Sequence, residues 1–214
     1  MLSDDFLIRM VRQWAIVLSR IIGLKKTGDY QEALEEIYQA LEQVLGLNME
    51  LIRIMDDDSV YGILTKDERI DAERLGVVAD LFKEEGDIFK RQNLNLESRS
   101  SYHRSLNYYL VKNNEEEPPQ QGITSAKIDE IIDQIGIADL PAMTLFNLFC
   151  YYENRGEYAH ADTILGELAA RPEINSDIRK ERLSFYRRLL EKNPEEIAAG
   201  GLSLEQIKSK LNDM

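Results

Sequence analysis

Residues that could do chemistry are sparse in this chain. His103 and His160 lie far apart in the sequence, and neither has a metal-ligand pattern beside it. The single Cys150 stands in the stretch LFNLFCYYENRG, where a small apolar core residue is expected because no partnered base is identifiable. Neither common glycine-rich phosphate-binding spacing is present. The sequence therefore predicts no catalytic residue, no cofactor and no resident metal.

One acidic stretch, 57–68, comes close to the spacing of a calcium-binding loop. Its sequence is DDSVYGILTKDE, and four positions carry expected residues: Asp57, Ser59, Gly62 and Glu68. Tyr61 departs from the pattern because it offers neither a carboxylate nor an amide oxygen at the fifth position. Glu68 also has another role, as the capping partner of Thr65 at a helix start. Whether this stretch binds an ion stays open at the level of sequence.

The charge balance argues against nucleic acid as the partner. The chain has 26 Lys and Arg residues against 39 Asp and Glu residues, a formal net charge of −13. The stretch 179–192 is locally basic, but no aromatic residues of a recognised nucleic-acid motif accompany its charges. Because a molecule this acidic repels a polyanion, no nucleic-acid binding is predicted.

The most apolar stretch, 6–24, does not have the pattern of a membrane span. Arg9, Arg12, Gln13 and Arg20 interrupt it, whereas a spanning helix needs about 20 nearly uninterrupted apolar residues. The acidic start, with Asp4 and Asp5, also differs from a secretory signal. The sequence predicts a cytoplasmic protein with no membrane partner.

Apolar residues recur at three- and four-residue steps, which predicts an all-α fold. The Ser/Thr-x-x-Glu/Gln spacing of Thr65 with Glu68 and of Ser203 with Gln206 is typical of a helix start. The predicted helices are 4–26, 30–46, 66–91, 95–112, 125–135, 140–155, 158–170, 176–192 and 204–212. The segment 113–122, NNEEEPPQQG, is predicted to be a linker between an N-terminal part, 1–112, and a C-terminal part, 123–214.

Three stretches share one pattern of turn, small and large residues. After Gly28 the equivalent positions are Tyr30, Ala33, Ile37 and Ala40; after Gly156 they are Tyr158, Ala161, Leu165 and Leu168. A third copy, centred on Asn93, has Gly86, Ser98, Tyr102 and Ser105. The pattern predicts helical hairpins: a left-handed turn residue, small residues where two helices approach closely, and a large residue that fills the gap.

These hairpins resemble the tetratricopeptide repeat, most closely in the stretch GDYQEAL. The resemblance implies a right-handed superhelix of antiparallel hairpins, with two repeat-like units in the N-terminal part and one, followed by end helices, in the C-terminal part. The turns are about twice the ~34-residue repeat period apart, so extra helices must intervene. Taken whole, the chain also resembles an uncharacterised bacterial family of tetratricopeptide-like proteins, which implies an architecture but no activity. An irregular helical bundle is the alternative.

The resemblance implies a protein-interaction or adaptor module that binds a peptide or protein partner in a groove lined by the first helix of each hairpin. The hairpin register then predicts these partner-binding residues: Lys83, Asp87, Lys90, Arg91, Phe146, Asn147, Asn154, Arg179 and Arg182. In several tetratricopeptide proteins, inner-face Asn and Lys or Arg side chains bind the terminal carboxylate of a peptide. Asn147, together with Arg179 or Arg182, matches part of that set, but the negative charge of Asp87 would repel a carboxylate. A mixed-charge groove for an extended or helical peptide is therefore predicted. Alternatively, Asn147 and Asn154 only solvate a helix face.

The competing function is a helical enzyme or a small-ligand-binding protein whose site residues are scattered along the sequence. A deep, closed pocket with two or more buried ionisable groups would favour that alternative, and an open groove would favour the adaptor.

The distribution of apolar residues on the N-terminal helix predicts that the chain self-associates through this helix. Its apolar residues spread over most of the circumference, more than one hairpin partner can cover, and include Phe6, Met10, Trp14, Val17 and Ile21. Either helices from residues 48–92 or a second copy covers the rest, and a symmetric dimer is expected when a chain meets itself. Light scattering should give twice the chain mass of 24.7 kDa. A mass near that of one chain at every micromolar concentration would exclude the dimer.

Overall fold

The computed structural model describes residues 2–66, 69–115, 118–171 and 175–212, and the side chains of 13–65, 70–113, 122–171 and 178–212. These residues are almost entirely helical, which confirms the all-α class. The helices are α1 (Leu2–Thr27), α2 (Tyr30–Leu45), α3 (Met49–Ile54), α4 (Asp57–Leu64), α5 (Ala72–Arg91), α6 (Asn95–Glu115), α7 (Pro118–Ile135), α8 (Ala142–Asn154), α9 (Tyr158–Ala169), α10 (Asn175–Leu190), α11 (Pro194–Ala199) and α12 (Leu204–Asn212). Strands β1 (Thr65–Lys66) and β2 (Arg69–Ile70) pair antiparallel. Within these ranges, no helix has the length and apolar character needed to cross a membrane.

The chain divides into two compact units, Met1–Ile135 and Gly136–Met214. We call them the N-terminal unit, which holds α1 to α7, and the C-terminal unit, which holds α8 to α12. The boundary therefore follows α7 instead of falling at the predicted linker, 113–122. That segment is helical at 113–115 and at 118–122, and Pro118 begins α7, a position where a missing backbone N–H costs no helical hydrogen bond. Because α7 packs on α6, it belongs to the N-terminal unit.

The three predicted hairpin turns are confirmed. Gly28, Asn93 and Gly156 have φ values of 89°, 60° and 74°, in the left-handed region. They connect α1 to α2, α5 to α6, and α8 to α9, and each pair of helices packs together. Asn93 is the only non-glycine residue with positive φ in the described chain, and asparagine tolerates that conformation better than most residues.

The predicted packing of the residues at the repeated hairpin positions, called the register positions below, is also confirmed. The buried register positions are Ala33, Ile37, Ala40, Ser98, Tyr102, Ser105, Tyr158, Ala161, Leu165 and Leu168, and Tyr30 is half-buried. Between α5 and α6 the helices approach closely, because the Tyr102 ring packs on Gly86. The hydroxyl of Ser98 donates a hydrogen bond to the Gly86 carbonyl at 2.9 Å, and that of Ser105 donates to the Ala79 carbonyl at 2.7 Å. The small residues thus allow the approach and supply polar contacts across it.

Three short helices, α3, α4 and α11, were not predicted. Asn48, Asp56 and Asn193 precede them, and each side chain accepts a hydrogen bond from a first-turn backbone N–H at 2.8 to 3.0 Å. The helices are six to eight residues long, too short for an apolar period to stand out. Since α3, α4 and α7 lie between the hairpins, the predicted intervening helices are confirmed.

The predicted start of the helix 66–91 is wrong. Helix α5 begins at Ala72, because Asp71 accepts a hydrogen bond from the Arg74 backbone N–H at 3.0 Å. Thr65 instead donates its hydroxyl to the Tyr61 carbonyl at 2.7 Å, and Glu68 lies outside the described residues. The second predicted helix start is confirmed, since Ser203 and Gln206 exchange hydrogen bonds of 2.8 and 3.2 Å.

The calcium-loop spacing does not correspond to a loop. Residues 57–64 form α4, so the oxygens of this stretch do not wrap around a common centre. Asp57 is used within the unit, where it accepts a hydrogen bond from the Asn107 side chain at 2.6 Å.

The close contact between Gly86 and Tyr102 predicts that one methyl group added at position 86 destabilises the N-terminal unit. A Cβ at position 86 would lie 2.9 to 3.0 Å from ring carbons of Tyr102, so Gly86→Ala should lower the free energy of unfolding by about 1–3 kcal/mol. Urea unfolding followed by Trp14 fluorescence measures this, because Trp14 is the only tryptophan and is buried in the N-terminal unit.

Gly62→Ala is the matched control. Gly62 lies in α4 of the same unit, and nothing lies within 4 Å of the place that an added methyl group would take. Alanine should therefore stabilise the unit by up to about 1 kcal/mol through helix propensity. Equal effects of the two substitutions would contradict the packing argument.

Candidate functional site

Helix α5 carries charge into the core of the N-terminal unit. It packs against α1, α2 and α6, yet the middle of α5 contains four carboxylates: Asp80, Glu84, Glu85 and Asp87. A buried carboxylate is costly unless cations or hydrogen-bond donors replace its water. The partners of these four side chains therefore decide what each can do.

Two of the carboxylates share a lysine from α1. The buried Lys25 forms ion pairs with the buried Glu84 and with the half-buried Asp87, the latter at 2.5 Å. Asp87 also accepts a hydrogen bond from the Tyr102 hydroxyl at 2.5 Å. Burial acts to raise the pKa of Asp87, but the hydrogen bonds from Lys25 and Tyr102 and the charge of Lys83 outweigh it, so this pKa is lowered.

The third carboxylate, Asp80, is paired in the same way. It accepts a hydrogen bond from the Tyr109 hydroxyl of α6 and forms an ion pair with Lys127 of α7. Asp80, Glu84 and Asp87 are thus neutralised by cations that come from other helices of the unit.

Glu85 is the exception. Only 7% of it is exposed, and its carboxylate accepts a hydrogen bond from the Ser101 hydroxyl at 2.7 Å. Among the described side chains, no lysine or arginine nitrogen lies within ion-pair distance of it. Burial raises the pKa of Glu85, and the opposing effects of Ser101, Tyr38 and the charges of Arg104 and Arg53 do not cancel this rise. A buried acid with a raised pKa in a cleft marks a candidate functional site.

Glu85 lines an open groove of about 550 Å³ between α2, α3, α5 and α6. We call it the Glu85 groove; its lining residues are Tyr38, Met49, Arg53, Phe82, Glu85, Phe89, Leu96, Glu97, Ser100, Ser101 and Arg104. One wall is apolar and open to solvent, because Leu96 is 83% exposed. The groove therefore combines a buried acid with apolar surface that a ligand could cover.

Guanidinium groups stack on two of the three aromatic rings in the groove. Arg53 lies 4.9 Å from the ring centre of Tyr38, and Arg104 lies 4.3 Å from that of Phe82. The third ring, Phe89, is half-buried, and no cation of the described residues lies over it. Flat cations on aromatic faces are thus a feature of this groove.

The predicted partner-binding residues of α5 lie on other parts of the helix surface. Lys83 and Asp87 come together, 3.5 Å apart, within the ion pairs that join α5 to α1 and α7. Lys90 is exposed and donates a hydrogen bond to Gln134, and Arg91 is exposed. Two of these four side chains are therefore held by contacts inside the unit.

The C-terminal unit contains the other predicted partner-binding residues: Phe146, Asn147, Asn154, Arg179 and Arg182. Phe146 and Asn147 are half-buried, whereas Asn154 and Arg179 are exposed. Arg182 lies 3.9 Å from the buried Asp162, so it is partly engaged within the unit. A groove that combines residues of α5, α8 and α10 stays a prediction.

The predicted self-association residues are partly buried within the chain. Ile21 and Trp14 are buried in the N-terminal unit, so these two side chains pack internally instead of forming an outer surface. Val17 is half-buried, and the side chains of Phe6 and Met10 lie outside the described residues. Self-association through α1 stays a prediction.

Cys150 and His103 lie in ordinary, partly buried environments. Burial raises the pKa of the Cys150 thiol and lowers that of His103. The part of the chain that the structure describes contains no cluster of three or more His, Cys, Asp or Glu residues that could hold a metal ion.

The chain belongs to a family of unknown function, DUF6483, whose model matches residues 1–214. No curated protein and no solved structure matches it. The candidate site is therefore defined by its geometry.

The raised pKa of Glu85 predicts that its charge destabilises the fold. Because the folded state holds this proton more tightly than the unfolded state, stability is lost as the pH rises from the ordinary value of 4.5 through the raised value. Glu85→Gln removes the charge and should increase the free energy of unfolding at pH 8 by about 1 kcal/mol. The gain should shrink towards pH 4, as measured by urea unfolding followed by Trp14 fluorescence.

Glu84→Gln is the matched control, because Glu84 is the adjacent residue and is 8% exposed. It removes one partner of the buried Lys25 and should destabilise the unit by about 2 kcal/mol. The argument fails if both substitutions destabilise at pH 8.

Proposed function

We propose that this member of the DUF6483 family is a non-catalytic protein-interaction module that binds a short segment of a partner protein in the Glu85 groove. One observation carries the proposal: within one compact unit, the exposed apolar wall at Leu96 stands beside the buried acid Glu85. A peptide offers both an apolar side chain and polar groups, and can therefore contact both features at once.

The apolar wall supplies affinity. Covering a leucine side chain such as Leu96 contributes about 1.5–3 kcal/mol, and the half-buried ring of Phe89 also lines the groove. Tyr38, Ser100 and Ser101 add hydroxyl groups along the groove. A few such polar groups set the orientation of a ligand in an otherwise apolar site.

The hairpins support an adaptor architecture. The left-handed turns and the buried register positions are the features expected of tetratricopeptide-like hairpins, and α3, α4 and α7 lie between them. We include a tetratricopeptide-like superhelix in the proposal. Such arrays bind extended or helical peptides on surfaces built from several helices, as the Glu85 groove is.

The form of the groove favours binding over catalysis. Leu96, Glu97 and Ser100 are exposed, so water reaches the site freely. The hydroxyl beside Glu85 belongs to Ser101, which is only 4% exposed and donates its hydrogen bond to that carboxylate. Among the described residues, no group of three or more His, Cys, Asp or Glu side chains could hold a metal ion. An enzyme of this type would need accessible, convergent reactive groups in a closed pocket.

Peptides selected for binding to the full chain test the proposal. We expect a phage-displayed library of random dodecapeptides to yield binders whose affinity, measured by calorimetry, falls about tenfold for Leu96→Ala. Leu96 is mostly exposed, so its truncation should leave helicity and unfolding unchanged.

Ile123→Ala is the control, because Ile123 is 69% exposed in α7 and does not line the groove. It should leave the affinity unchanged. If the library yields no binders, or if the binders tolerate Leu96→Ala as well as Ile123→Ala, the proposed function is wrong.

A further inference from the structure

We propose that the segment bound in the Glu85 groove carries an arginine, whose guanidinium stacks on Phe89 and pairs with Glu85. This inference rests on the proposed function, because it names the chemistry of the ligand at the same site. It concerns a subsite that consists of Glu85, Phe89 and Ser101, all of which line the groove.

The acid and the ring of this subsite lie on the same helix. Glu85 and Phe89 are four residues apart on α5, so their side chains are neighbours on one helix face. A carboxylate accepts about four hydrogen bonds, whereas Glu85 receives one from Ser101 at 2.7 Å and also interacts with the Tyr38 hydroxyl. The subsite therefore has acceptor capacity for further donors directly beside an aromatic face.

The stacking pattern of the groove favours a guanidinium group at this subsite. Tyr38 and Phe82 each carry a guanidinium from the chain itself, and within the described chain Phe89 carries none. A ligand arginine would complete this pattern on the third ring. It would also give Glu85 a counter-ion of the kind that Asp80, Glu84 and Asp87 obtain from within the unit.

Arg104, one of the two arginines that line the groove, does not offer an anion site. Arg104 directs its donors away from the groove, to the Ile52 carbonyl at 3.2 Å and the Tyr108 hydroxyl at 3.0 Å. Glu97 adds a second carboxylate to the groove lining.

The charge of the whole unit favours the same ligand. The N-terminal unit has 16 Lys and Arg residues against 26 Asp and Glu residues. This excess of acidic residues attracts a cationic segment and repels an anionic one.

Arginine fits the subsite better than lysine. A guanidinium is planar, so it can stack on a ring while its fork of donors reaches a carboxylate edge-on. An ammonium group is a strongly hydrated point charge and gains less from stacking.

Small probes that differ only in their head group test the subsite in the full chain. The probes are pentylguanidinium, pentylammonium and hexanoate, and binding is followed by the shifts of backbone amide resonances in NMR titrations. We expect pentylguanidinium to bind most tightly and to shift amides of α5, and hexanoate to bind most weakly. Hexanoate binding as tightly as pentylguanidinium, or shifts confined to other helices, would overturn the inference.

Two variants assign the effect to Glu85. Glu85→Gln keeps the size of the side chain and should weaken pentylguanidinium binding about tenfold. Glu50→Gln removes an equal charge from an exposed position on α3 outside the groove lining, and should leave binding unchanged. Equal weakening by both variants would show a general charge effect and would contradict the subsite.

Citrulline separates this inference from the proposed function. Replacing the arginine of a selected peptide by citrulline removes the charge at constant shape, and should cost about tenfold in affinity for the wild type and little for Glu85→Gln. If selected peptides depend on Leu96 but tolerate citrulline, the arginine subsite is wrong and the proposed function stands. If pentylguanidinium binds at Glu85 but no peptide does, the subsite stands and the proposed function fails.

Discussion

The requirement to neutralise buried and half-buried carboxylates on one helix governs the N-terminal unit. Helix α5 places Asp80, Glu84 and Asp87 against its neighbours, and the matching donors come from α1, α6 and α7. Because an unpaired buried charge costs several kcal/mol, each neighbouring helix must bring its cation or hydroxyl to a defined position. Apolar packing allows many arrangements of helices, whereas each of these pairs needs a defined distance between two particular side chains. The polar contacts therefore specify how the helices are arranged, and the apolar contacts supply most of the stability.

Glu85 stands apart from this arrangement, and the difference has a simple physical origin. Its neighbours on α5 face helices that bring lysine side chains, whereas Glu85 faces the groove between α2, α3 and α6, where the arginines stack on aromatic rings. The chain thus keeps a partly satisfied acid where it could have placed an apolar residue. Proteins tend to retain such locally unfavourable groups at binding and catalytic sites, because a ligand can satisfy them.

Local features of this structure were predictable from the sequence, and features that depend on distant residues were not. The turns at Gly28, Asn93 and Gly156 and the small residues beside them follow from neighbours in the chain, so their prediction was confirmed. The start of α5 was predicted wrongly because Thr65 had a suitable spacing but bonds to α4, while Asp71 supplies the cap. The Glu85 groove was not predicted, because its walls come from four helices between Tyr38 and Arg104. The one local indication was the spacing of Phe82, Glu85 and Phe89, which places an acid on an aromatic helix face.

The hairpin of α5 and α6 has a consequence for the order of folding. Its Ser98 and Ser105 hydrogen bonds and the contact of Tyr102 with Gly86 all lie within 72–115 and close only a short loop. Lys25 and Lys127 approach from outside this range, across much longer separations in the chain. We therefore expect the hairpin to form first, with hydroxyl groups of α6 bonded to Asp80, Glu85 and Asp87 and with the acids of α5 still partly hydrated. The removal of that water then belongs to the later docking of α1 and α7. The electrostatic cost of folding this unit therefore arises when the hairpin assembles with its neighbouring helices and not when the hairpin itself forms.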